Sequence, residues 1–226
     1  VAKKVNIKGP IISSDDAWIY DWFGIENTSP KSVNKAIEEA NGDELEVEIN
    51  SGGGSVFAGS EIYTALRSYK GNVTVKIVGL AASAASVIAM AGKKIMMSPT
   101  AQMMIHNVST YASGDYRDME HTAEILKNAN DTIANAYRIK SGMTQKDLLS
   151  MMDNETWMTA EKAKGYGLID EVMFENEIQI VASTSYSGLL PLEVINKMRN
   201  KLQNENAVKE TQAKLNYLKL KGETNE

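Results

Sequence analysis

Leu45-Glu46-Val47-Glu48-Ile49-Asn50, running on into Ser51-Gly52-Gly53-Gly54-Ser55, decides the architecture of this chain. Apolar residues alternate with acidic ones, so 44–50 reads as a strand with one wet face, and the glycines end it in a turn. Phe57 to Tyr69 then has the spacing of a helix, Val73 to Val78 that of a second strand, and Ala82 to Ala91 that of a very apolar, buried helix. Lys94 to Met97 and Gln102 to Ile105 follow as two short strands. Periods of two and 3.6 that alternate in this way define an α/β layer fold. Open α/β sheets bind ligands beyond the carboxyl ends of their strands, which is where the glycine turn and Ser83 fall.

The chain has 226 residues, enough for one principal domain with a proper core. Its longest apolar run, Ile77 to Met90, is broken by Gly79, Ser83 and Ser86 and is shorter than the roughly 20 residues of a membrane span. Val1-Ala2-Lys3-Lys4 leads into alternating, strand-like sequence with no apolar signal region. The absence of cysteine rules out disulfides and thiolate zinc sites and fits a reducing cytoplasm. A net charge of −5 offers no electrostatic footprint for nucleic acid, and no metal or cofactor is expected. The charge is uneven: residues 190–226 hold seven Lys/Arg against five Asp/Glu, so this segment is +2 and the rest −7. Ala182 to Gly188 is small and hydroxyl-rich like a linker, and Leu192, Ile195, Met198 and Leu202 beyond it have helical spacing. The expected division is a body, 1–178, and a linker with an amphipathic extension, 179–226.

With two histidines and no cysteine, nucleophilic chemistry here falls to Ser or Thr, with His106 or His121 as base. Ser83 opens an Ala-rich helix between Ala82 and Ala84, where free N–H groups and the helix dipole favour negative charge. Taken alone, such a serine reads more plainly as a helix cap. Ser86 reads as a core hydroxyl bonding back to a carbonyl. His106 ends the strand Met103-Met104-Ile105, whereas His121 lies on a helix, Asp115 to Lys140, striped by Met119, Ala123, Leu126, Asn130, Ile133 and Tyr137. His106 is therefore the better base. The Gly52-Gly53-Gly54 run admits three readings: a flexible turn, an anion-holding oxyanion hole, or a phosphate loop. The last is weak because neither Gly-Lys-Ser/Thr nor GxGxxG is present.

Four blocks carry a family resemblance: Asn50-Ser51-x-Gly53-Gly54, Gly79-x-Ala81-Ala82-Ser83, Met104-Ile105-His106, and Trp157-Met158-Thr159-Ala160-Glu161-x-Ala163-x-x-Tyr166-Gly167-Leu168-Ile169-Asp170. Their order and spacing resemble those of ClpP-type serine peptidases over roughly residues 5–175. The compact body and C-terminal segment look most like the ClpP-related head maturation proteases of phages and prophages. The resemblance implies a ClpP/crotonase-like fold of repeated ββα units. It implies Ser83 as nucleophile, His106 as general base, and the Ala84 amide with the Gly53–Gly54 turn as oxyanion hole. The third triad member falls in Asp153-Asn154-Glu155-Thr156-Trp157, and where the family usually has Asp two residues before an aromatic this chain has Glu155, with Asp153 the alternative. The plainer reading of both acids is a solvated turn before Thr159, which caps the helix Ala160 to Tyr166.

The expected function is that of a serine endopeptidase binding extended peptide beside Gly52, Ser55 and Val56, with capsid or scaffold proteins as natural substrates. The resemblance also implies homo-oligomeric rings stacked through a handle, the strand Thr110 to Gly114 and the helix 115–140. The family's N-terminal axial segment meets an ATP-driven unfoldase; here Val1 leads almost directly into strands at Val5 to Ile12, which argues against dependence on a ring ATPase. Two other classes compete: a catalytically idle assembly protein, for which Ser83 would be dispensable, and a crotonase-type acyl-CoA enzyme, which works by carboxylates without a Ser/His pair.

Overall fold

The computed structural model of the chain describes residues 2–175, and the linker and amphipathic segment expected at 179–226 lie outside them. The strands are β1 (Lys3–Lys8), β2 (Leu45–Ser51), β3 (Val73–Ala82), β4 (Lys94–Met97), β5 (Gln102–Ile105), β6 (Thr156–Thr159) and β7 (Glu171–Val172). The helices are α1 (Ala17–Trp22), α2 (Pro30–Ala40), α3 (Val56–Ser68), α4 (Ala84–Ala89), α5 (Tyr116–Ser141), α6 (Gln145–Asp153) and α7 (Ala160–Gly165). β1, β2, β3, β4 and β7 lie side by side in that order, all parallel. β5 runs parallel to the far end of β3 and carries β6 antiparallel on its other edge. The α/β class expected from the sequence is the one observed.

Alternation places the core. Leu45, Val47 and Ile49 of β2 and Val75 and Ile77 of β3 are fully buried on one face. Glu46 and Lys76 meet on the other face at 2.6 Å, with Lys4 of β1 at 3.6 Å from the same carboxylate. Local signals fix the helix ends. Ser29 caps α2 reciprocally with Ser32 and Pro30 opens it, while Asp115 and Asp118 form the same box on α5 and Gly142 ends it at φ 73°. Lys140 near the end of α5 donates to both carboxylate oxygens of Asp170, one of which also accepts the Ile95 amide at 2.6 Å, so helix, sheet and the turn before β7 are tied at one point.

Two expectations need correction. The second strand does not stop at Val78: it continues to Ala82, and the apolar helix is correspondingly short, Ala84–Ala89. The cause is a change of partner, because β3 pairs with β4 over Thr74–Ile77 and with β5 over Leu80–Ala82. The register against β2 shifts at the same place, from Ile49↔Ile77 to Ser51↔Ala81. Asn50 fills the irregularity, its side-chain oxygen accepting the Leu80 amide at 3.1 Å. Gly79 leaves room for it, since a Cβ there would lie 2.5 Å from that oxygen. Second, residues 110–114 form no strand. The stripe on α5 is buried toward its C-terminus, at Ile133 and Tyr137, while Met119 and Ala123 are exposed.

The Lys76 ammonium, by hydrogen bond and charge, holds the Glu46 carboxyl below its ordinary value of 4.5. A depressed folded-state value stabilises the fold above the unfolded value, and that contribution is lost as pH falls through the folded one. Glu46→Gln is therefore expected to flatten the fall in thermal midpoint between about pH 5 and about pH 3. Calorimetric midpoints across that range check this, and an unchanged slope would contradict it.

Candidate active site

Ser83 joins β3 to α4 with φ 54° and ψ −126°, in the left-handed half of conformational space that a side-chain-bearing residue rarely enters. Its hydroxyl makes no cap hydrogen bond to the helix, so the plain capping role does not hold. The turn is clamped on several sides. The Ser83 amide donates to the Met104 carbonyl of β5 at 3.0 Å, and the Ser83 carbonyl accepts the Ser86 hydroxyl at 2.6 Å, the back-bond expected for Ser86. Gly53 presses against the other side: a Cβ there would stand 2.7 Å from Ser83 Cβ and from the Ala82 carbonyl oxygen, and its φ is 95°. Only glycine fits.

His106 follows the last residue of β5, and its Nε2 lies 2.7 Å from Ser83 Oγ. The neighbouring strands β3 and β5 thus bring together the two residues singled out in sequence, 23 positions apart. His121 is exposed on α5. The chain after His106 is held by Asn130 of α5, whose side-chain oxygen accepts the Val108 amide at 2.7 Å.

Neither candidate acid reaches His106 by a hydrogen bond among the described residues. Glu155, just past α6 at φ 44°, accepts the indole N–H of Trp157 at 3.1 Å. Asp153, the last residue of α6, accepts the side-chain amide of Asn107 at 2.8 Å. Each carboxylate is drawn to a nearby neutral donor, and the pair of Ser83 and His106 stands as a dyad.

The glycine turn is more built than a flexible loop. Ser51, at the end of β2, donates its hydroxyl to the Gly9 carbonyl at 2.6 Å and accepts the Gly53 amide at 3.1 Å. The Gly53 N–H, expected with those of Gly54 and Ala84 to hold an oxyanion, is thus engaged by Ser51. Ile11 pairs along the turn, donating to the Gly53 carbonyl at 2.9 Å and accepting the Ser55 amide at 2.8 Å. Of the residues expected to line a peptide, Gly52 is exposed, Val56 faces the cleft, and the Ser55 hydroxyl is occupied as the cap of α3, accepting from Ala58 at 3.3 Å. The cleft beside Ser83 has a volume of about 70 Å³ and is lined by Val56, Val87, Val108 and Ile133 together with Gly54 and Tyr137. Ile11, Asn130 and the lining residues Val87, Val108 and Ile133 were not singled out for the site from sequence; Asn130, Ile133 and Tyr137 were visible only as helix stripe.

A serine turned out of helical geometry and hydrogen-bonded to a strand-end histidine, at the carboxyl edge of a parallel sheet, places the molecule among α/β proteins built to activate a hydroxyl. A family model described as Clp protease matches residues 34–176, and the chain belongs to that family. Three proteins described as ATP-dependent Clp protease proteolytic subunits illustrate the relationship. The one from Deinococcus radiodurans is 37% identical over 132 residues, 58% of this chain and 65% of that protein. One from Bacteroides fragilis is 36% identical over 136 residues, 59% of this chain and 66% of that protein. Subunit 1 from Chlamydia abortus is 32% identical over 180 residues, 76% of this chain and 87% of that protein. The chain thus spans just under two thirds of the length of the first two relatives.

Gly53→Ala should displace the Ser83 turn while leaving the core untouched. The expected result is a fall of about a hundredfold in reaction of Ser83 with a fluorophosphonate, the scale set by a misplacement of about 1 Å. A native labelling rate in a folded Gly53→Ala protein would contradict the clamp.

Proposed function

We propose that this chain is a serine endopeptidase in which Ser83 attacks the scissile carbonyl while His106 takes its proton and returns it to the leaving amine. The observation that carries this reading is the 2.7 Å hydrogen bond between His106 Nε2 and Ser83 Oγ. Membership of the Clp protease family supports it. The oxyanion of the tetrahedral intermediate takes the N–H groups of Ala84, at the start of α4, and Gly54; water then resolves the acyl-enzyme with His106 again as base. An extended peptide lies beside 52–56 and places an apolar side chain in the cleft between Val56, Val87, Val108 and Ile133. Glu155 is assigned the third role ahead of Asp153, because it stands two residues before the aromatic Trp157, where the resembling peptidases carry Asp, and Glu serves in other serine hydrolases; in that role its carboxylate exchanges the Trp157 indole for the His106 ring.

The wider setting we propose is a homo-oligomeric ring acting in the cytoplasm of a bacterial host, with capsid or scaffold proteins cleaved during phage head assembly. The resemblance of the four motif blocks to phage and prophage head proteases supports that setting. Among the described residues no helix is long and apolar enough to cross a membrane. Neither acylation nor deacylation consumes nucleotide, so cleavage of short peptides proceeds without an ATPase, even though the relatives quoted above are described as ATP-dependent.

Intact-mass labelling with a fluorophosphonate, run beside light scattering, tests the assignment. The native chain is expected to take a single adduct that Ser83→Ala and His106→Ala both lose, with peptide turnover falling by roughly 10³-fold or more. No adduct in a fully assembled oligomer would favour the idle assembly protein. Glu155→Gln should lower kcat by about 10³–10⁴-fold and Asp153→Asn only by a few-fold, the scale of losing a triad acid. The reverse order would move the third role to Asp153.

A further inference from the structure

Tyr137 is 1% exposed and Ser86 fully buried, and neither takes part in the chemistry proposed above. Their hydroxyl oxygens lie 2.7 Å apart, and Ser86 Oγ is also 2.6 Å from the Ser83 carbonyl oxygen. A carbonyl can only accept, and a serine hydroxyl has one proton to give. The Ser86 proton therefore goes to Ser83, and the Tyr137 phenol must donate to Ser86. The relay has one direction: Tyr137 O–H to Ser86 O–H to the Ser83 carbonyl. Burial pushes the phenol's pKa upward, so its proton stays in place across the working range of pH. The same Ser83 carbonyl accepts the backbone amides of Ser86 at 2.9 Å and Val87 at 3.3 Å. Three donors converge on the peptide group that sets ψ of Ser83.

Asn130 stands seven residues before Tyr137, two turns back on the same face of α5. Its side chain holds the Val108 amide, two residues beyond His106. One face of one helix thus reaches both halves of the dyad through separate hydrogen bonds. Resting on the peptidase reading, we infer that Tyr137 and Asn130 are positioning residues: α5 sets the separation and orientation of Ser83 and His106 through the Tyr137–Ser86 relay on one side and the Asn130–Val108 bond on the other. Neither side chain hydrogen-bonds to Ser83 Oγ or to the His106 ring, so the effect is on geometry and not on proton transfer.

The test uses the full chain and the double variant Ser86→Ala/Tyr137→Phe. It removes both hydroxyls together and leaves no buried orphan, a change that can be nearly neutral for stability. The expected result is a near-native thermal midpoint and unchanged KM, with kcat and fluorophosphonate labelling lower by about tenfold. Hydrogen exchange at the amides of residues 86 and 87, taken relative to the intrinsic rate of the residue at each position, should be faster by about tenfold, reporting release of the Ser83 carbonyl. Asn130→Leu should lower kcat similarly, and Asn130→Asp, which keeps an acceptor for Val108, should restore most of it. Native labelling, kcat and exchange in a folded double variant would overturn the inference, as would equal loss in both Asn130 variants. If the double variant fails to unfold cooperatively, Tyr137→Phe alone is measured in the same way: lower kcat with faster exchange supports the positioning role, and native values of both overturn it. Should the native chain take no label at all, the peptidase reading fails, and amide exchange at residues 86 and 87 decides the positioning role by itself.

Discussion

Ser83 can aim its hydroxyl at His106 only because its backbone is held at φ 54°, a conformation that costs on the order of 1–3 kcal/mol for a residue with a side chain. Such a turn persists only when the surroundings over-determine it. Here they do: β5 takes its amide, three donors take its carbonyl, and Gly53 closes the third side with no room for a methyl group. Much of the described fold can be followed outward from that turn. The long strand β3 delivers it, β5 delivers both its first restraint and the histidine, and α5 backs the two segments on either side of the cleft.

The sheet supplies the second constraint. β3 must leave β4 and take up β5 within a few residues, and the irregularity at Ser51 and Ala81 is where it does so. Asn50 and Gly79 act as a matched pair there, one side chain satisfying the Leu80 amide and one missing side chain making space for it. This gives the Asn50-Ser51 and Gly79 blocks a physical meaning beyond a motif. Asn50 shapes the path to Ser83, while Ser51 ties the end of β1 to the glycine turn. The turn that looks flexible in composition is anchored on both sides, which is what the oxyanion donors proposed at Gly54 and Ala84 require.

Periodicity made β2 legible in sequence, because apolar alternation and burial coincide there, while β4 and β5 were legible as short apolar runs. It failed at β3, whose extension through Gly79-Leu80-Ala81-Ala82 depends on a partner strand more than twenty residues away and not on any local preference. The Ser83 and His106 pair was legible from residue scarcity and motif spacing. The acid was not: Glu155 holds the place two residues before the aromatic and Asp153 lies two residues earlier, and a left-handed turn after α6 with donors from Trp157 and Asn107 draws both carboxylates to partners other than His106. Tyr137 and Asn130 were visible as one helix stripe, yet their polar ends act at the site, a role that only the packing of α5 against α4 and the 106–108 segment discloses.

The most direct test of Ser83 as an activated nucleophile is a crystal structure of the assembled protein after reaction with a peptidyl boronate carrying an apolar side chain next to the boron. The expected outcome is a tetrahedral adduct on Ser83 Oγ, one boronate oxygen within hydrogen-bond distance of the Ala84 and Gly54 amides, and the side chain between Val56, Val87 and Ile133. A boronate bound elsewhere, or an adduct on Ser83 whose oxygens face away from both amides, would contradict it.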